Sequence, residues 1–140
     1  MKIYLDNCCY NRPFDPQGQV RVQVETVSKL AVQFLMAMGR IEFVWSAILD
    51  YEVSCNPSLK RRTAIMRWRE RAAECIELTD AVYARAVAIR LWGVKEKDAM
   101  HLASAEAAGC TWLLTTDDGF IKTRRRAVDR WFGLPRPLSS

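Results

Sequence analysis

Four acidic residues, spread over the whole chain, occupy positions from which their side chains could bind one metal ion together. Asp6 and Asp117 each follow a short apolar run directly, where a buried strand would end. Ligands of open parallel sheets gather at such strand ends. Glu52 and Asp98 lie on the apolar stripes of predicted helices, where an ionised carboxylate is costly unless a cation lies beside it. Alone, Asp6 and Asp117 could each be a turn former or an N-cap, and Asp98 could be a helix N-cap, but the four acids together predict one acidic site.

The residue types around these acids indicate which cation would bind there. Inward positions near them are mostly Leu, Ile, Ala and Cys, so we expect few basic side chains at the site. Carboxylates and water are the ligands that Mg²⁺ and Mn²⁺ prefer, whereas zinc would recruit His or Cys. The chain contains 1 His. We therefore expect a Mg²⁺ or Mn²⁺ site whose ligands are Asp6, Glu52, Asp98 and Asp117.

The elements that must position these acids alternate between strands and helices. Apolar runs predict strands at 3–5, 42–45, 75–78 and 111–116, and helical periodicity predicts helices at 20–38, 46–55, 58–73, 81–92 and 98–108. The stretch 7–18, with its Asn, Pro and Gly residues, is predicted to be a loop. Alternation of this kind implies right-handed crossovers and a parallel sheet with helices on both faces. The sequence therefore predicts one α/β domain over 1–140, with three layers, α/β/α, around four or five short strands.

Composition and charge narrow the possible partners and location. No apolar run approaches the roughly 20 residues of a membrane-spanning helix, so we expect no membrane partner. The 5 Cys contain no CxxC pair, which argues against a disulfide framework and a zinc knuckle. With no export signal at the start of the sequence, a cytoplasmic protein is expected. The net charge of +5 favours polyanionic partners.

Three segments, in this order, resemble the PIN-domain family. They are MKIYLDNCCYNRPF, SAILDYEVSCNP and GVKEKDAMHLASAEAAGCTWLLTTDDGF. The resemblance implies a nuclease fold and, among small bacterial members, the VapC-like toxin ribonucleases of toxin–antitoxin pairs. It assigns metal binding to Asp6, Glu52, Asp98 and Asp117. It also implies three partners: an RNA substrate, a small antitoxin protein and a second copy of the chain. Residue 7 departs from the family, because many members carry a small hydroxyl residue there and this chain carries Asn.

These observations predict a metal-dependent endoribonuclease. One or two Mg²⁺ or Mn²⁺ ions at the four acids would activate a water and stabilise the departing oxygen of an RNA phosphodiester. Polar neighbours could hydrogen-bond a ligating carboxylate or a bound water; they are Asn7, Thr115, Thr116 and Asp118. Basic side chains could contact phosphates; they are Arg12, Lys122, Arg124, Arg125 and Arg126. The cluster at 60–62 fits a solvated helix face better.

Two other interpretations of the same residues remain open. The first is a catalytically weak PIN-like module that binds RNA or protein without cleaving it. The second is a phosphoacceptor domain, which also gathers acids around Mg²⁺ but would need an acceptor Asp on a middle strand. His101, one turn after Asp98, fits a structural or hydrogen-bonding role better than that of a general base. Cys8 and Cys9 are expected to be buried behind the site rather than to act as nucleophiles.

Overall fold

Five short parallel strands form the centre of the structure, a computed structural model that describes residues 1–115 and the strand 136–138. The strands are β1 (Lys2–Leu5), β2 (Glu42–Ser46), β3 (Glu74–Ile76), β4 (Trp112–Leu114) and β5 (Arg136–Leu138). Their order in the sheet is β3-β2-β1-β4-β5. The helices are α1 (Asn7–Asn11), α2 (Val20–Ala37), α3 (Ala47–Ser54), α4 (Leu59–Arg71), α5 (Asp80–Arg90) and α6 (Glu96–Ala107).

Strand β1 lies in the middle of the sheet and is buried on both faces. Ile3 pairs with Phe43 of β2 on one side and with Trp112 of β4 on the other. Tyr4 and Leu5, whose side chains point to opposite faces, are both fully buried. A parallel sheet covered by helices on both faces produces this pattern. The predicted three-layer α/β/α fold is therefore confirmed.

Local capping explains where several helices begin and end. The Thr79 hydroxyl accepts a hydrogen bond from the Val82 N–H and so caps α5, as its position in the sequence predicts. Gly109 follows the end of α6 with a φ of 69°, a left-handed conformation that glycine adopts without steric cost. The boundaries predicted from the sequence are correct to within about two residues for these elements, in line with the usual scatter of helix ends.

The prediction of a loop over 7–18 is wrong in its first half. Asp6 caps the short helix α1, because its Oδ1 accepts a hydrogen bond from the Cys9 N–H at 3.2 Å. A 3₁₀ turn (Arg12–Phe14) follows, with Pro13 at a position where the ring fits a helical start. The Asn and Pro residues that suggested a loop are thus used at the ends of two short helical segments.

Helix α2 has the predicted length, but most of its apolar side chains are exposed, with Met36 the buried exception at 4%. Phe34 remains 62% exposed, whereas Glu25 is buried at 2%. Glu25 can be buried because Arg12 Nε lies 2.9 Å from its Oε2 and Arg21 Nε lies 2.8 Å from its Oε1. Periodicity shows that a helix has two faces, but here ion pairs decide which face turns inward.

Within the part of the chain that the structure describes, no helix is both long enough and apolar enough to cross a membrane.

Candidate metal centre

A cavity of about 390 Å³ beside the end of β1 brings together three of the four predicted acids, Asp6, Glu52 and Asp98. Its other lining residues are Asn7, Cys8, Lys95, Glu96, Lys97 and His101. Seven of the predicted site residues lie outside the described residues, and their roles stay predictions: Thr116, Asp117, Asp118, Lys122, Arg124, Arg125 and Arg126.

Asp6 is the most deeply buried of these acids, with 4% of its surface exposed. Its Oδ1 accepts from the Cys9 N–H, and its Oδ2 accepts a hydrogen bond from the Thr115 hydroxyl. Burial raises the pKa of Asp6, and these hydrogen bonds, together with the nearby His101, offset the rise only in part. A carboxylate in this state gains stability from any cation that reaches it. Each of its oxygens also keeps a lone pair for such a ligand.

Glu52 reaches the cavity from the last turns of α3 and is held by His101. The His101 Nε2 lies within hydrogen-bonding distance of Glu52 Oε1. The other ring nitrogen, Nδ1, lies 2.5 Å from the Tyr4 hydroxyl. Both nitrogens of the imidazole are therefore engaged, which agrees with the expected hydrogen-bonding role of His101 and removes it as a candidate metal ligand.

Asp98 lies in the first turn of α6 and lines the cavity from that side. The helix begins at Glu96, with Lys95 as its N-cap residue. Asp98 is therefore not the N-cap, the alternative role that its sequence position allowed. Negative side chains are favourable in the first turn of a helix, because the backbone N–H groups there are unpaired.

Basic side chains do approach the acids, contrary to the expectation from the sequence. Lys95 and Lys97 both line the cavity, and Lys97 Nζ lies 5.6 Å from the centre of the Tyr51 ring. Both lysines are exposed, because they precede the first buried turn of α6 and extend from its start. They lie at the rim, where solvent screens their charge from the buried Asp6.

The side chains that line the cavity include the oxygen ligands that a hard divalent cation prefers. Four acidic residues line the cavity, because Glu96, which sequence analysis did not single out, joins the three predicted acids. The His that zinc would prefer is hydrogen-bonded on both nitrogens. Within residues 1–115, however, no three His, Cys, Asp or Glu side chains are close enough together to form a complete ligand set. Additional oxygen ligands, from water or from a further acid, would be needed.

Comparison with known proteins identifies the family of the chain and supports its fold. The sequence model of the PIN domain matches residues 3–126. The chain belongs to the PIN-domain family. PIN domains are generally nucleases and typically use divalent metal ions. A chain from the crystal structure of VapBC2 from Rickettsia felis, bound to a DNA fragment from the VapBC2 promoter, is 16% identical in sequence to this chain. It superimposes with a TM-score of 0.60, over 100% of this chain and 99% of that chain, which supports the fold. No curated protein matches the sequence significantly.

A larger groove of about 850 Å³ adjoins the acidic cavity of this PIN domain and shares Asn7, Cys8, Glu52 and Lys97 with it. Its other lining residues are Asn11, Arg12, Asp15, Cys55, Asn56, Pro57, Ser58 and Arg61. Arg12 lines this groove, where sequence analysis placed a phosphate contact. Arg61 does so too, although the 60–62 cluster was expected to be a solvated helix face. Ser58, the N-cap residue of α4, also lines the groove, so the start of that helix lies beside it.

Asn7 is oriented by a chain of amides along this groove. Asn56 Nδ2 donates to Asn11 Oδ1 at 3.0 Å, and Asn11 Nδ2 donates to Asn7 Oδ1 at 2.9 Å. The Ser58 N–H donates to Asn56 Oδ1, so the Asn56 amide nitrogen is the group that donates to Asn11, and each following amide donates in the same direction. Among the described residues Asn7 makes no hydrogen bond to a carboxylate, and its amide N–H groups remain as donors at the junction of groove and cavity.

The cysteines next to Asp6 differ in burial. Cys9 is fully buried and its thiol donates to the Leu114 carbonyl at 3.3 Å. Burial raises the pKa of Cys9 well above its usual value, so its reactive thiolate form is disfavoured. The expectation of a buried, inert thiol is met by Cys9. It is only half met by Cys8, which is partly exposed and lines both cavities.

Proposed function

We propose that this PIN domain is a Mg²⁺- or Mn²⁺-dependent endoribonuclease that hydrolyses RNA phosphodiester bonds. The observation that carries the proposal is the convergence of Asp6, Glu52 and Asp98 on one cavity, with Asp6 buried and its pKa raised. A buried carboxylate with a raised pKa, in a cavity with other acids, is a candidate for a functional group.

Asp6, Glu52, Asp98 and Asp117 are the residues proposed to hold the ion. When bound, the ion would supply an activated water and stabilise the departing oxygen. The protein's own groups orient the ligands: the Thr115 hydroxyl and the Cys9 N–H fix Asp6. We propose that the Asn7 amide donates to a phosphate oxygen of the substrate, while Thr116 and Asp118 retain their predicted supporting roles.

Single isosteric substitutions test the proposed ligands. Asp6→Asn and Asp98→Asn should lower Mn²⁺-dependent cleavage of a fluorogenic RNA at least about 100-fold, since losing even a partner that supports a ligand costs about 10–100-fold. Asp80→Asn is the matched control, because Asp80 is an exposed acid at the start of α5. Cleavage that survives either site substitution at the rate of the control would refute the mechanism.

The groove is proposed as the path of the RNA strand. Arg12, Arg61 and Lys97 line it. Asp15 offsets part of their charge, because its carboxylate is paired with Arg12 and with Arg61. Lys122, Arg124, Arg125 and Arg126 are proposed to add positive charge. Arg61→Ala should weaken RNA binding and reduce the slope of log affinity against log salt by roughly 0.7, the value for one phosphate contact on a single strand. Arg71→Ala, an exposed arginine at the end of α4, should leave the slope unchanged. Equal slopes in both variants would exclude the groove.

A second copy of the chain is proposed to cover the exposed apolar stripe of α2, formed by Val24, Val27, Leu30, Phe34 and Met38. These side chains are 48–68% exposed, and contiguous apolar surface marks interaction sites. Two identical chains of net charge +5 repel each other, so an uncharged stripe is where they can meet. Val27→Glu should convert a dimer to a monomer in sedimentation, while Ser28→Glu on the same helix should not.

The similarity to VapBC2 supports a role as the toxin of a toxin–antitoxin pair, with a small antitoxin as partner. Induced expression in a bacterial host should stop growth. Asp6→Asn should not stop it. Growth that is unaffected by the wild-type protein would argue against toxicity while leaving the nuclease assay as a separate test.

One observation favours the alternative, a catalytically weak PIN-like module that binds RNA or protein. Lys95 and Lys97 lie at the rim of the acidic cavity, and residues 1–115 contain no complete ligand set. If this alternative holds, RNA binds with the salt dependence described above, but Mn²⁺ neither binds measurably nor stimulates cleavage.

A further inference from the structure

A continuous chain of buried polar groups connects the start of α3 to the acid near its end. The Leu49 N–H donates to Ser46 Oγ at 3.3 Å, and Ser46 Oγ lies 2.7 Å from the Tyr4 hydroxyl. The Tyr4 hydroxyl lies 2.5 Å from His101 Nδ1, and His101 Nε2 contacts Glu52 Oε1. Ser46 and Tyr4 are fully buried and His101 is 2% exposed.

The two ends of this chain determine where each hydrogen lies. A backbone N–H can only donate, and an ionised carboxylate can only accept. His101 therefore carries its hydrogen on Nε2, and its Nδ1 accepts from the Tyr4 hydroxyl, which in turn accepts from Ser46. Every group in this series has a partner, and for a neutral imidazole only the tautomer with its hydrogen on Nε2 satisfies all of them.

We propose that Tyr4 and His101 are positioning residues that hold Glu52 in the orientation of a metal ligand. The inference rests on the proposed function, because it takes Glu52 to be a ligand. A glutamate side chain has several rotatable bonds, and the contact of Oε1 with His101 restricts them while Glu52 lines the cavity. Tyr4 belongs to β1, His101 to α6 and Glu52 to α3, so this series of hydrogen bonds also connects three elements beside the cavity.

The expected effect is a weaker metal site rather than a lost fold. Partners that orient a metal ligand typically contribute 10–100-fold in affinity. Tyr4→Phe removes one hydroxyl and should weaken Mn²⁺ binding about 10-fold in isothermal titration calorimetry. Tyr10→Phe is the matched control, because the Tyr10 hydroxyl is also buried but has no hydrogen-bond partner among the described residues. His101→Gln keeps an N–H donor for Glu52 and should bind Mn²⁺ more tightly than His101→Leu.

A spectroscopic signature separates positioning from a general loss of structure. The protein contains 1 His, so the ring ¹⁵N resonances of histidine need no assignment. In the metal-free wild type at neutral pH, His101 should show the shifts of the Nε2–H tautomer, and Tyr4→Phe should show a mixture of tautomers while Tyr10→Phe does not. Circular dichroism of each variant verifies the fold.

The outcomes distinguish the two proposals. If the wild type does not bind Mn²⁺, the proposed function fails and the positioning role fails with it. If the wild type binds Mn²⁺ but Tyr4→Phe and Tyr10→Phe bind it equally well, only the positioning role is overturned. Equal affinities of His101→Gln and His101→Leu, or an Nδ1–H tautomer in the wild type, would overturn it as well.

Discussion

The hydroxyl of Thr115 should stabilise the ionised form of Asp6, and Thr115→Val removes that hydroxyl with little change in side-chain shape. Thr115 is fully buried and donates to Asp6 Oδ2. A hydrogen bond to a charged group contributes about 1.5–3 kcal/mol. Asp6 keeps its hydrogen bond from the Cys9 N–H at 3.2 Å, so the carboxylate is not left without partners. We therefore expect a loss near the middle of that range.

This loss can be converted into a shift in thermal midpoint. Unfolding entropy is about 2.1 cal/mol/K per residue, which for 140 residues is about 0.3 kcal/mol/K. A loss of about 1.5–3 kcal/mol then lowers Tm by roughly 5–10 °C. Thr115→Ser keeps the hydroxyl and is the control; it should lose only the contribution of one methyl group, about 1 kcal/mol.

The pH dependence of the stability lost in Thr115→Val tests whether the loss comes from the ionised form of Asp6. Without the Thr115 hydrogen bond, the pKa of Asp6 in the folded protein rises further above its usual value of 3.8. The deficit of Thr115→Val is therefore largest above the folded pKa values of Asp6, where its carboxylate is ionised in the folded protein, and shrinks as the pH falls through them towards 4. Urea denaturation followed by Trp fluorescence at several pH values measures it. A deficit that is the same at pH 7 and near pH 4, or equal in Thr115→Ser, would refute this explanation.

Three further predictions concern the same region. Because burial raises the pKa of Asp6, the metal-free protein should lose stability as the pH rises above about 4 and through the folded pKa, and urea curves of Asp6→Asn should lack this component. Mn²⁺ at 100 times its Kd should add about 2.7 kcal/mol of stability, or about 9 °C in Tm, to the wild type but not to Asp6→Asn. A thiol reagent should modify the exposed Cys55 rapidly, whereas the buried Cys9 and Cys110 should react only on unfolding. Burial raises the pKa of Cys110 to about 12, so its reactive thiolate form is rare at neutral pH.

Local chemistry accounts for the parts of the fold that sequence analysis predicted. Thr79 and Gly109 act within their own turns of the chain, so their effects need no knowledge of distant residues. Strand β1 was recognisable because it is buried on both faces and reads as an unbroken apolar run. The termination of that run at Asp6 is what marked the first acid.

Non-local contacts account for the parts that sequence analysis missed. Which face of α2 is buried depends on Glu25, and Glu25 is stabilised by Arg12, which reaches it from the 3₁₀ turn. The apolar stripe on the same helix was visible in the sequence, but a stripe that a partner covers has the same periodicity as one that the core covers. Lys95 and Lys97 reach the acidic cavity only because α6 starts there.

The acidic site illustrates the same limit. Asp6 is held by a hydroxyl 109 residues away, and Glu52 by a ring nitrogen 49 residues away. The first contact exists because β4 pairs with β1 in parallel, so that Thr115 and Asp6 leave the sheet at the same edge. The second exists because α3 and α6 both pack beside Tyr4. Residue types and strand ends therefore identified the acids. The groups that orient these acids follow instead from the order of the strands, so motifs compared one at a time do not reveal them.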